Sequence, residues 1–161
     1  MTTAEIRFAV ESDLPFLERM LSWAAGWRSN VLDETLAVDP AVARYLAGWG
    51  RPGDVALVAE TAAGEPAGAA WYRLFAADDP GFGFVAPDIP ELTVAVEPAA
   101  RGTGLGTALL TALVDRARAD GFEAVSLSVE VENPAKRLYE RLNFEIVAEG
   151  AGNACTLLLR L

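Results

Sequence analysis

The chain predicts an α/β fold of the α+β kind, a single domain with a mixed central sheet of about six to seven strands flanked by about four helices. Three observations carry this. Short stretches with strand periodicity recur along the chain, and four longer stretches repeat apolar residues at helical spacing. Two strands in the first half face each other across a tight turn, which makes them antiparallel. In the second half a strand, a helix and a strand follow within about thirty residues, which makes a parallel βαβ unit. The 161 residues, 52% hydrophobic and 22% charged, suit one domain over residues 1–161, with no repeat and no low-complexity linker.

In order, Ile6, Phe8 and Val10 alternate with Arg7 and Ala9 as a first strand. Ser12 or Asp13 then caps a helix with Pro15 in its first turn and Leu17, Met20, Leu21 and Ala24 on its apolar face. Asp39-Pro40 opens a second helix with the stripe Val42, Tyr45, Leu46, Trp49, ended by the Gly/Pro-rich run 48–53. Residues 55–60 and 66–75 form a hairpin around Ala62-Ala63-Gly64-Glu65. Residues 76–90 are rich in turn formers and make a long loop, either functional or merely mobile. Leu92, Val94 and Val96 mark a strand that Pro98 stops, and Leu105, Ala108, Leu109, Ala112 and Leu113 mark a helix closed by Gly121. Residues 124–129 form the parallel partner strand. Asn133-Pro134 starts a fourth helix with Ala135, Leu138, Tyr139 and Leu142 on one face. Residues 144–148 and 154–161 are the last two strands, the final one with Cys155, Leu157, Leu159 and Leu161 on one side.

A formal net charge of −10 leaves no broad basic face for a nucleic-acid backbone and suits a neutral or cationic partner. The single cysteine, Cys155, cannot form an intrachain disulfide. With no histidine, the usual zinc sites and the Cys–His and Ser–His arrangements are excluded, so no metal is expected. Glu5, Glu11, Asp13 and Glu18 interrupt the N-terminal region, and no apolar run reaches membrane-spanning length, so a cytoplasmic protein that does not engage a membrane is expected.

The chemistry concentrates in Arg101-Gly102-Thr103-Gly104-Leu105-Gly106-Thr107, a glycine-rich turn between a strand and a helix. Backbone N–H groups at a helix start carry partial positive charge and suit a phosphate, and Arg101 adds a full one. A nucleotide P-loop would end Gly-Lys-Ser/Thr, whereas this turn ends Gly106-Thr107-Ala108 without lysine. A dinucleotide fingerprint would need a small residue at 107 and several further βα units, for which the remaining chain is too short. A turn that merely joins strand to helix is the plainest alternative.

The segments Val96-Glu-Pro98-Ala-Ala-Arg101-Gly102-Thr-Gly104-Leu-Gly106 and Asn133-Pro-Ala-Lys-Arg-Leu-Tyr139-Glu-Arg-Leu-Asn-Phe144 resemble the two signature segments of the GNAT superfamily of acyl-CoA-dependent N-acyltransferases. The match is tight over 91–147, and the element order extends the likeness to essentially the whole chain. One departure is Asn143, where the family commonly has glycine; asparagine tolerates the left-handed conformation such a helix end needs. The resemblance implies a GNAT-like fold with a splayed parallel strand pair at the cofactor site, and acetyl-CoA as cofactor. Its pyrophosphate would lie on the N–H groups of Gly102, Thr103, Gly104, Leu105, Gly106 and Thr107, with Arg101 near it or structural. The pantetheine arm would lie alongside Val94 and Val96. Asn133 would bond to that arm as well as cap its helix, although capping alone explains it equally well.

The same resemblance makes Tyr139 a general acid that protonates the departing thiolate, although Tyr139 also lies on the apolar stripe of its helix. An amine acceptor must lose a proton before attack; Glu91 at the start of the central strand is the best-placed carboxylate, through water, and a plain strand-end glutamate is its alternative. Trp23, Trp27, Phe82 and Phe84 are substrate candidates, each with a packing explanation as well. The implied reaction is acetyl transfer from acetyl-CoA to a primary amine of a small molecule by direct attack in a ternary complex. The alternatives are acetylation of a protein N-terminus or lysine, or a catalytically silent acyl-CoA sensor. The apolar final strand could pair with a second copy as a homodimer or lie within its own sheet.

Overall fold

A computed structural model describes residues 4–161. Seven strands form one mixed sheet in the order β1-β2-β3-β4-β5-β7-β6, and four α-helices accompany it. The elements are β1 (Glu5–Phe8), α1 (Leu14–Ala25), α2 (Pro40–Ala43), β2 (Val55–Glu60), β3 (Pro66–Arg73), β4 (Glu91–Val96), α3 (Leu105–Ala119), β5 (Ala124–Glu130), α4 (Ala135–Arg141), β6 (Glu145–Glu149) and β7 (Ala154–Arg160). By its contacts the chain divides into two compact units, one running through Tyr72 and including Thr93–Leu113, the other comprising Arg73–Leu92 and Val114–Leu161.

In the first unit β1, β2 and β3 are antiparallel, with Phe8 opposite Leu57 and Ala56 opposite Trp71. The hairpin turn is closed by Gly64 at φ 80°, a conformation glycine adopts at little cost. Gly68 of β3 lies under α3: a Cβ there would come within 3.0 Å of Leu109 Cδ1 and 3.2 Å of Ala95 O. Leu17 and Met20 of α1, Val58 and Ala59 of β2, Ala69 and Trp71 of β3, and Leu109, Leu110 and Leu113 of α3 are buried. The buried stripe of α3 is Leu105, Leu109, Leu110 and Leu113, whereas Ala108 is exposed and Ala112 only half-buried. The helix thus turns its leucines inward, with Val114 and Ala117 continuing the buried face, and leaves Ala108 outward.

Asp13 does not cap α1 with its side chain. Its carboxylate accepts from Arg7 Nη1 at 2.7 Å and Nη2 at 2.9 Å and from the Val10 N–H at 2.7 Å, and Arg7 also pairs with Glu60. A two-pronged guanidinium contact outweighs one cap bond. The Arg7 bond, opposed by burial and aided by the Val10 N–H, holds the Asp13 carboxyl below its ordinary range. The folded pKa therefore lies below the unfolded one, so this contribution is present above about pH 4 and is lost as pH falls through the folded value. Asp13→Asn should cost about 1.5 kcal/mol at pH 7, and thermal melts should show the gap to wild type narrowing on going down to pH 3.

The expected second helix is shorter than its stripe suggested. Only Pro40–Ala43 is α-helical, although Tyr45 and Leu46 beyond it are buried. Asp39 caps it, its carboxylate accepting from the Ala41 N–H at 2.9 Å, and Gly48 at φ 62° and Gly50 at φ 108° reverse the chain soon after.

In the second unit β5, β7 and β6 are antiparallel, with Leu157 of β7 opposite Leu127 of β5 on one side and Ile146 of β6 on the other. β7 lies between β5 and β6, and Cys155, Thr156, Leu157 and Leu158 are all buried. The final strand therefore lies within its own sheet, and the sheet edge falls to exposed β6. The parallel pair β4–β5 meets at Glu91 opposite Ser126, with the Ser126 N–H donating to Pro90 O at 3.0 Å. The end of α3 is a glycine cap: Gly121, at φ 88°, donates to Arg118 O and Phe122 donates to Ala117 O. Among the described residues, no helix is long and apolar enough to cross a membrane, and no cluster of three or more His, Cys, Asp or Glu is arranged to hold a metal ion.

Candidate active site

The glycine turn of the first unit begins where β4 stops. Pro98–Ala100 form a single 3-10 turn, and Gly102 and Gly104 follow at φ 75° and 83°. These are left-handed conformations that cost an L-residue with a side chain about 1–2 kcal/mol. Crowding is not what demands glycine here, because a Cβ at either position would meet nothing within 4 Å. The surroundings are open, and the missing side chains leave the backbone approachable. Thr103 Oγ1 donates to Ala100 O at 2.5 Å, so this hydroxyl is spent on shaping the turn.

The first bond of α3 runs from the Ala108 N–H to Gly104 O at 3.0 Å, which leaves the N–H groups of Leu105, Gly106 and Thr107 without acceptors inside the helix. Leu105 is buried, so only its backbone can serve a ligand. Free donors, a helix start, open glycines and the exposed Arg101 guanidinium together fit a pyrophosphate. Val94 and Val96 are half-buried on β4.

Trp23 is buried on α1, with the Arg101 guanidinium carbon 5.2 Å from its ring centroid. It faces the glycine turn. Trp27 is half-buried and carries Arg28 over its own ring at 4.3 Å.

The second unit holds the remaining candidates. Glu91 is 2% exposed at the head of β4, on the same register as Ser126. Asn133 caps α4: its Oδ1 accepts from the Ala135 N–H at 3.0 Å, which leaves its amide NH2 as the group able to meet a ligand. Tyr139 is buried, and burial pushes its phenol well above the ordinary range. Its position is fixed by the end of α4. Asn143, at φ 73°, donates to Glu140 O, Phe144 donates to Tyr139 O at 3.0 Å, and the Phe144 ring meets the Tyr139 ring edge-on at 5.8 Å. These are the two backbone bonds and the apolar contact of a left-handed helix cap, with asparagine in the glycine position. Asn143→Ala should lower stability by about 1 kcal/mol whereas Asn143→Gly should not, read as a shift in urea midpoint at constant slope.

The loop between β3 and β4 is pinned at Gly83, whose added Cβ would lie 2.5 Å from Leu127 C and 2.6 Å from Ser128 N. Backbone thus packs on the β5 backbone there, with exposed Phe82 on one side and half-buried Phe84 on the other. Two buried polar residues had no signal in the sequence patterns. Arg73 ends β3 fully buried, and Ser126 is fully buried with no hydrogen-bond partner for Oγ among the described residues. An arginine closing an apolar strand was the one available hint. Cys155 is buried, its thiol donates to Val129 O at 3.5 Å, and burial raises its pKa, which makes it a poor nucleophile.

Comparison with known proteins identifies the family. The acetyltransferase (GNAT) family model matches residues 17–144. The L-methionine sulfoximine/L-methionine sulfone acetyltransferase of Pseudomonas paraeruginosa is 37% identical over 146 residues, covering 89% of this chain and 81% of that protein. The structure of yncA from Salmonella typhimurium with its cofactor acetyl-CoA superposes with a TM-score of 0.74 at 28% identity, covering 99% of this chain and 94% of that one. A ribosomal-protein-alanine N-acetyltransferase from Brucella melitensis gives a TM-score of 0.70 at 29% identity, covering 98% and 99%. This chain belongs to the GNAT acetyltransferase family and is an acyltransferase that uses acetyl-CoA.

Proposed function

We propose that residues 1–161 form one catalytic domain, acting in the cytoplasm, that moves the acetyl group of acetyl-CoA onto the primary amine of a small molecule by direct attack in a ternary complex. The observation that carries this reading is the likeness, over 89% of the chain, to an acetyltransferase named for two small amino acids. Acetyl-CoA, when bound, supplies the acetyl group activated as a thioester. The N–H groups from Gly102 to Thr107, with Arg101 beside them, bind its pyrophosphate, and the backbone at Val94 and Val96 aligns its arm. Asn133 offers its amide NH2 to the same arm. Tyr139 holds a proton at Oη for the thiolate that leaves. Glu91 takes, through water, the proton that the amine must lose. The only cysteine is buried and hydrogen-bonded, which argues against parking the acetyl group on the protein and favours direct transfer.

Glu91→Gln should lower kcat/KM at neutral pH by about a hundredfold and flatten the acidic limb of the pH–rate profile; an unchanged rate and profile would remove Glu91 from the mechanism. A second reading, acetylation of a protein N-terminus, is favoured by the likeness to the ribosomal-protein-alanine enzyme. Thiol release from acetyl-CoA separates the two. Methionine sulfoximine, methionine sulfone and other small amino acids should be turned over at higher kcat/KM than peptides beginning with alanine; the reverse order would move the assignment to the second reading.

A further inference from the structure

We propose that Arg19 and Trp23, one helical turn apart on α1, are positioning residues for the cofactor turn, holding Glu97 and Arg101 so that the pyrophosphate meets a turn already in place. Arg19 Nε lies 2.5 Å from Glu97 Oε1, and Nη2 lies 3.3 Å from Oε2, a two-pronged pair. Trp23 offers its buried ring to Arg101 at 5.2 Å, within the range at which a guanidinium is attracted to an aromatic face. Residues 19 and 23 share a helix face because they are four apart, and residues 97 and 101 bracket the 3-10 turn at Pro98–Ala100. The two contacts therefore grip both ends of that short turn. Glu97 is fixed from the other side as well, since its N–H donates to Ala67 O of β3 at 2.7 Å.

The physical need for such a grip lies in the next three residues. Gly102 and Gly104 have the widest conformational freedom of any residue, and a Cβ at either would meet nothing within 4 Å. Ordering them around an anion loses entropy, and restraint of the turn before binding reduces that loss. Past Thr103 the chain is held by α3; before it, the hold comes from α1. Trp23 is thereby a residue of the cofactor side rather than of the acceptor pocket.

This inference rests on acetyl-CoA as the ligand of the turn, so its test uses binding of coenzyme A alone, with no acceptor. In calorimetric titration, Trp23→Leu and Arg19→Gln should each weaken coenzyme A about fivefold, and the paired swap Arg19→Glu with Glu97→Arg should return to within about twofold of wild type. Amide exchange in the unliganded variants should quicken at 97–107 while protection of β5 and β7 stays at the wild-type level. Variants that bind coenzyme A like wild type, or that lose protection equally everywhere, would overturn the positioning role alone. A wild-type protein that failed to bind coenzyme A would overturn the acetyl-CoA reading and this inference with it.

Discussion

Tyr139→Phe should lower kcat about ten- to a hundredfold and leave the KM for acetyl-CoA within about twofold. The magnitude sits at the low end for a general acid for a reason visible in the fold. Burial raises the phenol pKa, so the group stays protonated across the working range but is a reluctant donor toward a thiolate whose conjugate acid lies near 8.5. The substitution keeps ring volume and the edge-on contact with Phe144, so thermal stability should hold and the loss can be read as chemistry. Because the tyrosine does not titrate below pH 10, the alkaline limb of the wild-type pH–rate profile should persist in the variant. A variant with wild-type kcat would return Tyr139 to a packing role.

Gly104→Val should raise the KM for acetyl-CoA about thirtyfold, the equivalent of about 2 kcal/mol. At φ 83° a β-branched residue is a steric outlier, so the turn must either change shape or carry the strain. Gly106, inside α3, has no such constraint, and Gly106→Ala should leave the turn's backbone intact and cost far less. The difference between the two positions, measured as the acetyl-CoA stabilisation in a thermal shift, separates a turn that needs left-handed glycines from one that needs only small residues.

Where a feature is dictated by residues next to one another, it was legible in the sequence. Gly64, Gly121 and Asn143 take left-handed conformations where short-range turn chemistry placed them, and the strand-to-helix transition at Leu105 lies where the apolar period changes. What escaped depends on partners outside the local periodic pattern. Asp13 reads as a cap, but Arg7 claims its carboxylate. Tyr45 and Leu46 fit a helical stripe, but burial alone explains them, and the helix ends at Ala43. The last strand leaves open whether it pairs with a second copy or lies within its own sheet, because nothing local announces that β5 and β6 flank it on both edges. Trp23 reads as packing ahead of pocket lining, and its contact with Arg101, 78 residues later, is visible only in the fold. Arg73 and Ser126, polar and fully buried, carry no periodic signal at all.

The most direct measurement is an initial-velocity matrix in acetyl-CoA and methionine sulfoximine, with thiol release and acetylated product counted in the same reaction. Transfer through a ternary complex predicts intersecting reciprocal plots and one thiol released per acetylated amine. Parallel plots, or thiol release with no acetylated amine, would contradict direct acetyl transfer by this protein.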